Sequence, residues 1–306
     1  MKIYTILKKG IKYIVDSDYR FLINSFTGLF YKNMDDAVFL KKKYHIITGK
    51  ELDLNNPKTI NEKMQWLKLN DHNDLYTILV DKYKVRNYVK EKIGEKYLIP
   101  LIGVWDNPDD IDFDALPNQF VLKCNHNSGL GMCICKNKSK LNIKKIKSNL
   151  KKGLKQDYYL TGREWPYKNV DRKIICEKYM IDESNKELKD YKFYCFNGEM
   201  KFVMINSGRF TCKNTKADYF DRNFEWLDFT WGYEHSNIRP EKPKMFEEMC
   251  RIAEKLSEGL KYVRVDLYNI NGDIYFGEFT FFDGSGFDKI CPINWDYKFG
   301  DMINIK

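Results

Sequence analysis

Apolar residues recur at helical spacing through the first third of the chain and then give way to short alternating runs. Ile3, Ile6, Leu7, Ile11, Ile14 and Val15, with Lys2, Lys8, Lys9 and Lys12 between them, predict a helix within residues 1 to about 30, followed by a turn at Thr27-Gly28. Further helices are expected at 34–48, 59–70 and 74–93, and over Met245 to Gly259. Thr59 and Glu62 have capping-box spacing, and Gly259 is a stop signal. Lys82 and Arg86 stand four apart on one helical face, which is either solvated or shaped to receive an anion. Residues 136–156 carry nine lysines and no acid, and predict a helix with a solvated basic face.

Strands are expected at 99–105, from 119 to Lys123, in the run that ends at Cys135, and at 172–180, 190–196 and 199–205. Between Lys123 and Cys135 lies a small polar, glycine-containing loop, Asn125-His-Asn-Ser-Gly-Leu-Gly131. Such a loop turns backbone N–H groups toward an anion with little steric hindrance, although a plain hairpin tip reads equally well. The spacing is not that of a Walker A loop. Asn197-Gly198 and Asn271-Gly272 each separate two apolar runs, the pattern of a tight hairpin.

The second hairpin organises the rest. Alternation puts Arg264, Asp266 and Tyr268 on one strand face, and Phe276, Glu278 and Thr280 on one face of the next. A two-residue turn would send the carboxylates to opposite faces. A three-residue loop, Ile270 to Gly272, pairs Asn269 with Asp273, sets Arg264 opposite Glu278 and brings both carboxylates to one face; this is the expected arrangement. Asp266, Glu278 and Thr280 would then form an oxygen cluster suited to Mg²⁺ bridging nucleotide phosphates, against the alternative of a solvated amphipathic hairpin.

Composition narrows the class. The 306 residues are 43% hydrophobic and 15% aromatic, enough for several subdomains with cores of their own. A net charge of +9 suggests phosphate-bearing or anionic partners; nucleic acid is not expected as a partner. No apolar run approaches the roughly 18 residues of a membrane span. The basic N-terminal helix either packs on the body or rests on the inner surface of an anionic membrane. The eight cysteines show no zinc spacing, and no small-residue cleavage site follows the N-terminal apolar stretch, so a reduced, cytoplasmic protein is expected.

Singly these motifs are weak; their order is informative. Lys123, the glycine loop, Glu177, Lys192, Asp266 and Glu278 follow one another as in the ATP-grasp superfamily. Val121-Leu-Lys-Cys-Asn-His126, Arg163-Glu-Trp165, Asp190-Tyr-Lys-Phe-Tyr-Cys-Phe-Asn-Gly198 and Phe276-Gly-Glu-Phe-Thr-Phe281 make the chain, from about Thr59 onward, resemble the TupA-like branch associated with teichuronopeptide biosynthesis. The resemblance implies an α/β (α+β) ATP-grasp fold with the nucleotide between two α+β subdomains. It divides the chain into a helical N-terminal extension (1–58), a substrate subdomain (59–118), a lid (119–180) and a catalytic subdomain (181–306).

It also implies roles. Lys123 would bind α- and β-phosphate oxygens, and Asn127, Ser128, Gly129 and Gly131 would close over the phosphates. Glu177, Lys178 and Tyr179 would form the hinge at the adenine, and Asp182 or Glu183 would hold the ribose. Lys192 would reach the γ-phosphate and Arg264 the transferred phosphoryl group. Asp266 and Glu278 would hold Mg²⁺, with Thr280 where relatives often carry asparagine; Asp283 stands where proline is expected. His126 is a candidate proton carrier or a satisfied loop histidine, and Lys82 with Arg86 could receive a carboxylate. The implied activity is an ATP-dependent carboxylate–amine ligase working through an acyl phosphate on a uronic acid of a surface polysaccharide. Glycosyl transfer, an ATP-grasp sugar or glycan kinase, and a basic binding module are the alternatives.

Overall fold

A computed structural model describes residues 2–181, 189–208 and 215–305, with side chains from residue 9 onward. The N-terminal region is α1 (Lys2–Val15), α2 (Ser17–Ser25) and α3 (Asp36–Thr48). The expected single helix through residue 30 is broken at Asp16, whose carboxylate accepts from the N–H groups of Asp18 and Tyr19 and caps a new helix. Phe21, Phe39, Leu40 and Tyr44 bury against Leu52 and Phe287 as a small separate core.

Helix α4 (Ile60–Asn70) starts with the full capping box, Thr59 and Glu62 satisfying each other's backbone donors. The helix expected over 74–93 is two, α5 (Asp74–Val80) and α6 (Val85–Ile93). Buried Asp81 divides them: its carboxylate accepts from the N–H groups of Tyr83 and Lys84, an alternative to continuing the helix.

Two antiparallel sheets follow. β1 (Leu101–Trp105), β4 (Ile174–Lys178), β2 (Phe120–Cys124) and β3 (Cys133–Cys135) form one, in that spatial order. Helix α7 (Ile143–Lys155) covers it through Leu150, over a core of Phe120, Leu122, Ile174 and Cys176. Short α8 (Tyr159–Gly162) leads back toward β4. The larger sheet runs β10 (Asp273–Thr280), β9 (Tyr262–Ile270), β5 (Asp190–Phe196), β6 (Glu199–Ser207), β7 (Lys216–Asp221). Helix α9 (Phe246–Ser257), α10 (Asn294–Asp301), and the apolar sides of α4, α5 and α6 share its core, so residues 60–93 pack on this sheet and not around a core of their own. A minor pair, β8 (Thr230–Trp231) with β11 (Ile290–Cys291), closes one side.

All pairings within both main sheets are antiparallel, an α+β arrangement. The turn Asn197-Gly198 has both residues at positive φ, as a two-residue hairpin of this hand requires. Among the described residues every cysteine is free, and no helix is long and apolar enough to cross a membrane; Cys212 lies outside them.

Candidate active site

Three neighbouring strands of the larger sheet present one row of charge. Lys192 on β5 pairs with Asp266 on β9, and Asp266 pairs with Glu278 on β10. The next row is Tyr194, Arg264 and Thr280.

The carboxylates reach one face by a route other than the expected loop. The turn is a strict two-residue one: Ile270 pairs with Asp273, with Asn271 and Gly272 at φ 58° and 99°. A bulge between Phe276 and Glu278 then shifts the register by one and swings Glu278 across from Asp266, leaving Arg264 opposite Thr280. Gly277 permits it, because a Cβ there would lie 3.0 Å from the Asp266 carbonyl oxygen and 3.2 Å from the Tyr268 ring.

Asp266 is buried between two cations. Arg264 donates from Nε to Oδ1 at 2.7 Å and from Nη2 to Oδ2 at 2.8 Å, and Lys192 donates to Oδ2 at 2.6 Å. Burial alone would raise the Asp266 pKa, but Arg264 and Lys192 outweigh it and hold it below the usual carboxylate value. Burial likewise pulls the Lys192 ammonium down, and Asp266 with Asp190 more than restores it. Arg264 also binds Asp283, which accepts from the Tyr194 hydroxyl. Asp283 is thus the second anchor of the arginine.

Above this row lies a cleft of about 220 Å³. Its floor includes Asp190, Asp266, Tyr268 and Glu278; its roof is Lys123 on β2 with Asn127, Ser128, Gly129 and Leu130 from the loop that follows, and Lys82 stands at the side. The base of the loop is tied down. Asn125 donates to Asp81 and to the Asp171 carbonyl, both at 2.8 Å, and Asn127 donates to Gln156 at 3.0 Å. Gly131 packs on Gly153 of α7 so closely that a Cβ would lie 3.0 Å from the Gly153 Cα. Ser128, Gly129 and Leu130 are the exposed tip.

Lys123 Nζ lies 2.7 Å from Glu177 Oε2, and Arg86 lies 3.5 Å from the other oxygen. Lys82 donates to the Asn127 carbonyl at 3.0 Å and sits 3.6 Å from Glu278. Cations from the α5–α6 junction and from both sheets therefore converge on one small volume, the arrangement that stabilises several phosphate oxygens at once.

The fit to Mg²⁺ follows from the donor set. Among the described residues no group of three or more His, Cys, Asp and Glu side chains is arranged as a metal site. Mg²⁺ bound with nucleotide needs only one or two carboxylates, the rest coming from phosphates and water. Glu278 has only long contacts, 3.6 Å to Lys82 and 3.9 Å to Arg264. Asp266 Oδ1 accepts from Arg264 Nε, and Oδ2 accepts from Arg264 Nη2 and Lys192, which leaves a lone-pair direction on Oδ1. The pair fits the ion.

The structure gathers Lys123, Asn127, Ser128, Gly129, Lys192, Arg264, Asp266 and Glu278 around this cleft, with Gly131 at the loop base and Glu177 behind Lys123. Lys178 is exposed and Tyr179 lies 6.0 Å below the Lys136 ammonium, both away from the cleft lining. Thr280 stands beside Arg264, one row removed. Asp182 and Glu183 lie outside the described residues. His126 does not reach the cleft: it is buried, its Nε2 donates to the Gln156 carbonyl at 3.0 Å, and its Nδ1 has no partner. Burial pulls its pKa down to about 4, so the ring that donates to Gln156 is neutral near pH 7. Arg86 is turned to Glu177 and the Ile99 carbonyl, leaving Lys82 alone of that pair at the cleft. Asp190 was not expected at the cleft; it lies two residues from Lys192 on its own strand, so alternation could have found it, and Tyr268 joins the lining on the face that alternation gave it.

Residues 62–304 match the family described as TupA-like ATPgrasp. No curated protein matches the chain in sequence. A D-alanine–D-alanine ligase from Bacillus anthracis complexed with ATP is similar at 18% identity and a TM-score of 0.42, over 66% of this chain and 55% of that one. The corresponding ligase from Helicobacter pylori is 16% identical, TM-score 0.39, over 78% and 66% of the two chains. D-cycloserine synthetase DcsG is 13% identical, TM-score 0.41, over 74% and 70%. The chain thus spans about half the length of the first of these structures.

Proposed function

As the chain belongs to the TupA-like ATP-grasp family, we propose that it is an ADP-forming carboxylate–amine ligase that uses ATP and Mg²⁺. The observation that carries this reading is the row Lys192–Asp266–Glu278 facing Lys123 and Lys82 across one cleft.

A carboxylate oxygen of the acid attacks the γ-phosphorus of ATP, and the bond to ADP breaks. The amine nitrogen then attacks the acyl carbon, inorganic phosphate leaves, and the amine loses a proton. The protein forms no bond in either step; it positions the reactants and opposes their charge. Lys123 and the loop Asn127, Ser128, Gly129 and Gly131 hold the α- and β-phosphates, with Lys82 at their side. Glu177, Lys178 and Tyr179 flank the adenine, and Asp182 or Glu183 the ribose. Lys192 and Arg264 face the transferred phosphoryl group. Asp266 and Glu278 would hold Mg²⁺, which when bound neutralises charge on the phosphate oxygens; Thr280 stands ready as an outer ligand. The acid is a uronic acid of a bacterial surface polysaccharide and the amine an amino compound joined to it, the pairing that the family resemblance favours. The work is done on the cytoplasmic side.

The test is ATP turnover with Mg²⁺ across a panel of uronic acids and amines, wild type against Glu278→Gln, with nucleotide and product masses identified. ADP, phosphate and an amide that require both acid and amine, and that vanish in the variant, are expected. ADP with a phosphorylated product and no need for amine would make it a kinase. Turnover of a sugar nucleotide without ATP cleavage would make it a glycosyltransferase.

A further inference from the structure

Among the described side chains of α1, the apolar residues Ile11, Ile14 and Val15 do not pack on the body. Tyr13, on the opposite side of the helix, bonds Asn24 of α2 at 2.8 Å, and Ile11, Ile14 and Val15 are turned outward. A second apolar group, Phe26, Leu29 and Phe30, projects from the turn after α2. All six side chains are between 61% and 75% exposed, although large apolar residues in so short a stretch would ordinarily find cover.

The turn is held in this pose. Gly28 is buried at φ 71°, pressed onto Leu160 with no room for a Cβ, and the Tyr31 carbonyl accepts from Arg163 at 2.5 Å. The projection is therefore built into the fold. It is also set among positive charge: Lys9, Lys12 and Lys32 are exposed beside it. The first fifty residues hold ten Lys and Arg against four Asp and Glu, two thirds of the net charge of +9.

We propose that residues 9–32 form a docking surface for an anionic lipid bilayer, with Ile11, Ile14, Val15, Phe26, Leu29 and Phe30 entering the interface and the lysines meeting lipid phosphates. Apolar groups at the interface plane and lysines at headgroup level are what such a surface requires. A second copy of this chain fits less well. A two-fold interface would set the same lysines against each other, a like-charge contact that opposes pairing. The proposal stands apart from the ligase reading, since it concerns a surface that touches none of the phosphate-binding groups.

The experiment is co-sedimentation of the full chain with vesicles of pure phosphatidylcholine and with vesicles containing phosphatidylglycerol. Binding to the anionic vesicles, weakened by salt and at least about tenfold above the neutral ones, is expected. Lys9→Gln with Lys12→Gln should weaken binding to the anionic vesicles on the order of 25-fold. Ile14→Ser with Phe30→Ser should weaken binding to anionic vesicles while leaving the unfolding midpoint in place. No sedimentation with either vesicle, or equal sedimentation with both, overturns the proposal. So does a concentration-dependent dimer in light scattering that Ile14→Ser abolishes, because the face would then be a self-association surface. ATP turnover in solution is a separate measurement, so the failure of one reading leaves the other standing.

Discussion

Asp266 is the residue on which the charge of the site turns. It gathers Arg264 and Lys192 at hydrogen-bonding distance, and its depressed pKa shows that attraction overcomes burial. Removing its charge leaves Arg264 with Asp283 and Lys192 with Asp190 as their remaining close partners, one carboxylate fewer for two buried cations, so Asp266→Asn should lower both stability and activity. Glu278 is half exposed with only long contacts, and Glu278→Gln should abolish Mg²⁺-dependent turnover while leaving the unfolding midpoint unchanged. Lys192→Met should cost turnover at least about 100-fold, as removal of a preorganised positive group does. Asp288 behaves in the opposite sense to Asp266. Burial, with help from Asp283, raises its pKa to about 6. The folded chain therefore holds this proton more tightly than the unfolded chain, whose value is about 3.9. The contribution to stability is complete below the unfolded value and is lost as pH rises through about 6. Denaturant midpoints measured between pH 5 and 7.5 should fall with rising pH in the wild type and flatten in Asp288→Asn.

At the scale of elements, the bulge of β10 sets the geometry of the site. Gly277 is the extra residue, and its missing Cβ lets the strand cross close to the Asp266 carbonyl. Gly277→Val should push the carboxylates out of opposition. A displacement near 1 Å is worth on the order of 100-fold in rate, and turnover should fall by that much with nucleotide affinity weakened alongside. The junction of α5 and α6 is a second such device. Asp81 caps the turn that carries Lys82 and also binds Asn125 at the foot of the phosphate loop. Asp81→Ala leaves a buried amide donor without its carboxylate, a loss of about 2–3 kcal/mol, readable by chemical denaturation. It should also loosen the loop, seen as faster hydrogen exchange at residues 126–131.

Across the whole molecule, the cleft exists because two antiparallel sheets and a helical segment meet there, each contributing cations that no single element supplies. Lys123 from the smaller sheet, Lys82 from the helices, and Lys192 with Arg264 from the larger sheet come from positions far apart in the chain. Repulsion among them is met by Glu177, Asp190, Asp266, Asp283 and Glu278. A polyphosphate anion entering the cleft would take over part of that task. MgATP should accordingly raise the unfolding midpoint and protect the Ser128–Leu130 tip from exchange, and Lys123→Met should remove both effects.

Much of this was legible in the sequence, because it depends on local chemistry. The capping box at Thr59 and Glu62, the hairpins at Asn197-Gly198 and Asn271-Gly272, the strand carrying Lys192, and the alternation that puts Arg264, Asp266 and Tyr268 on one face follow from propensities and periods that neighbouring residues fix among themselves. The order of Lys123, Glu177, Lys192, Asp266 and Glu278 pointed to the family before any contact was known. What the sequence could not decide was non-local. The shared face of the carboxylates arose from a bulge and not from a longer loop, since a glycine inside a strand permits a bulge but its partner strand decides it. His126 was buried against the Gln156 carbonyl at the end of α7, Arg86 was drawn to Glu177, and Ile11, Ile14 and Val15 of α1 were left facing outward. Each of these outcomes was set by which surfaces the folded chain had already used, and only the tertiary structure holds that information.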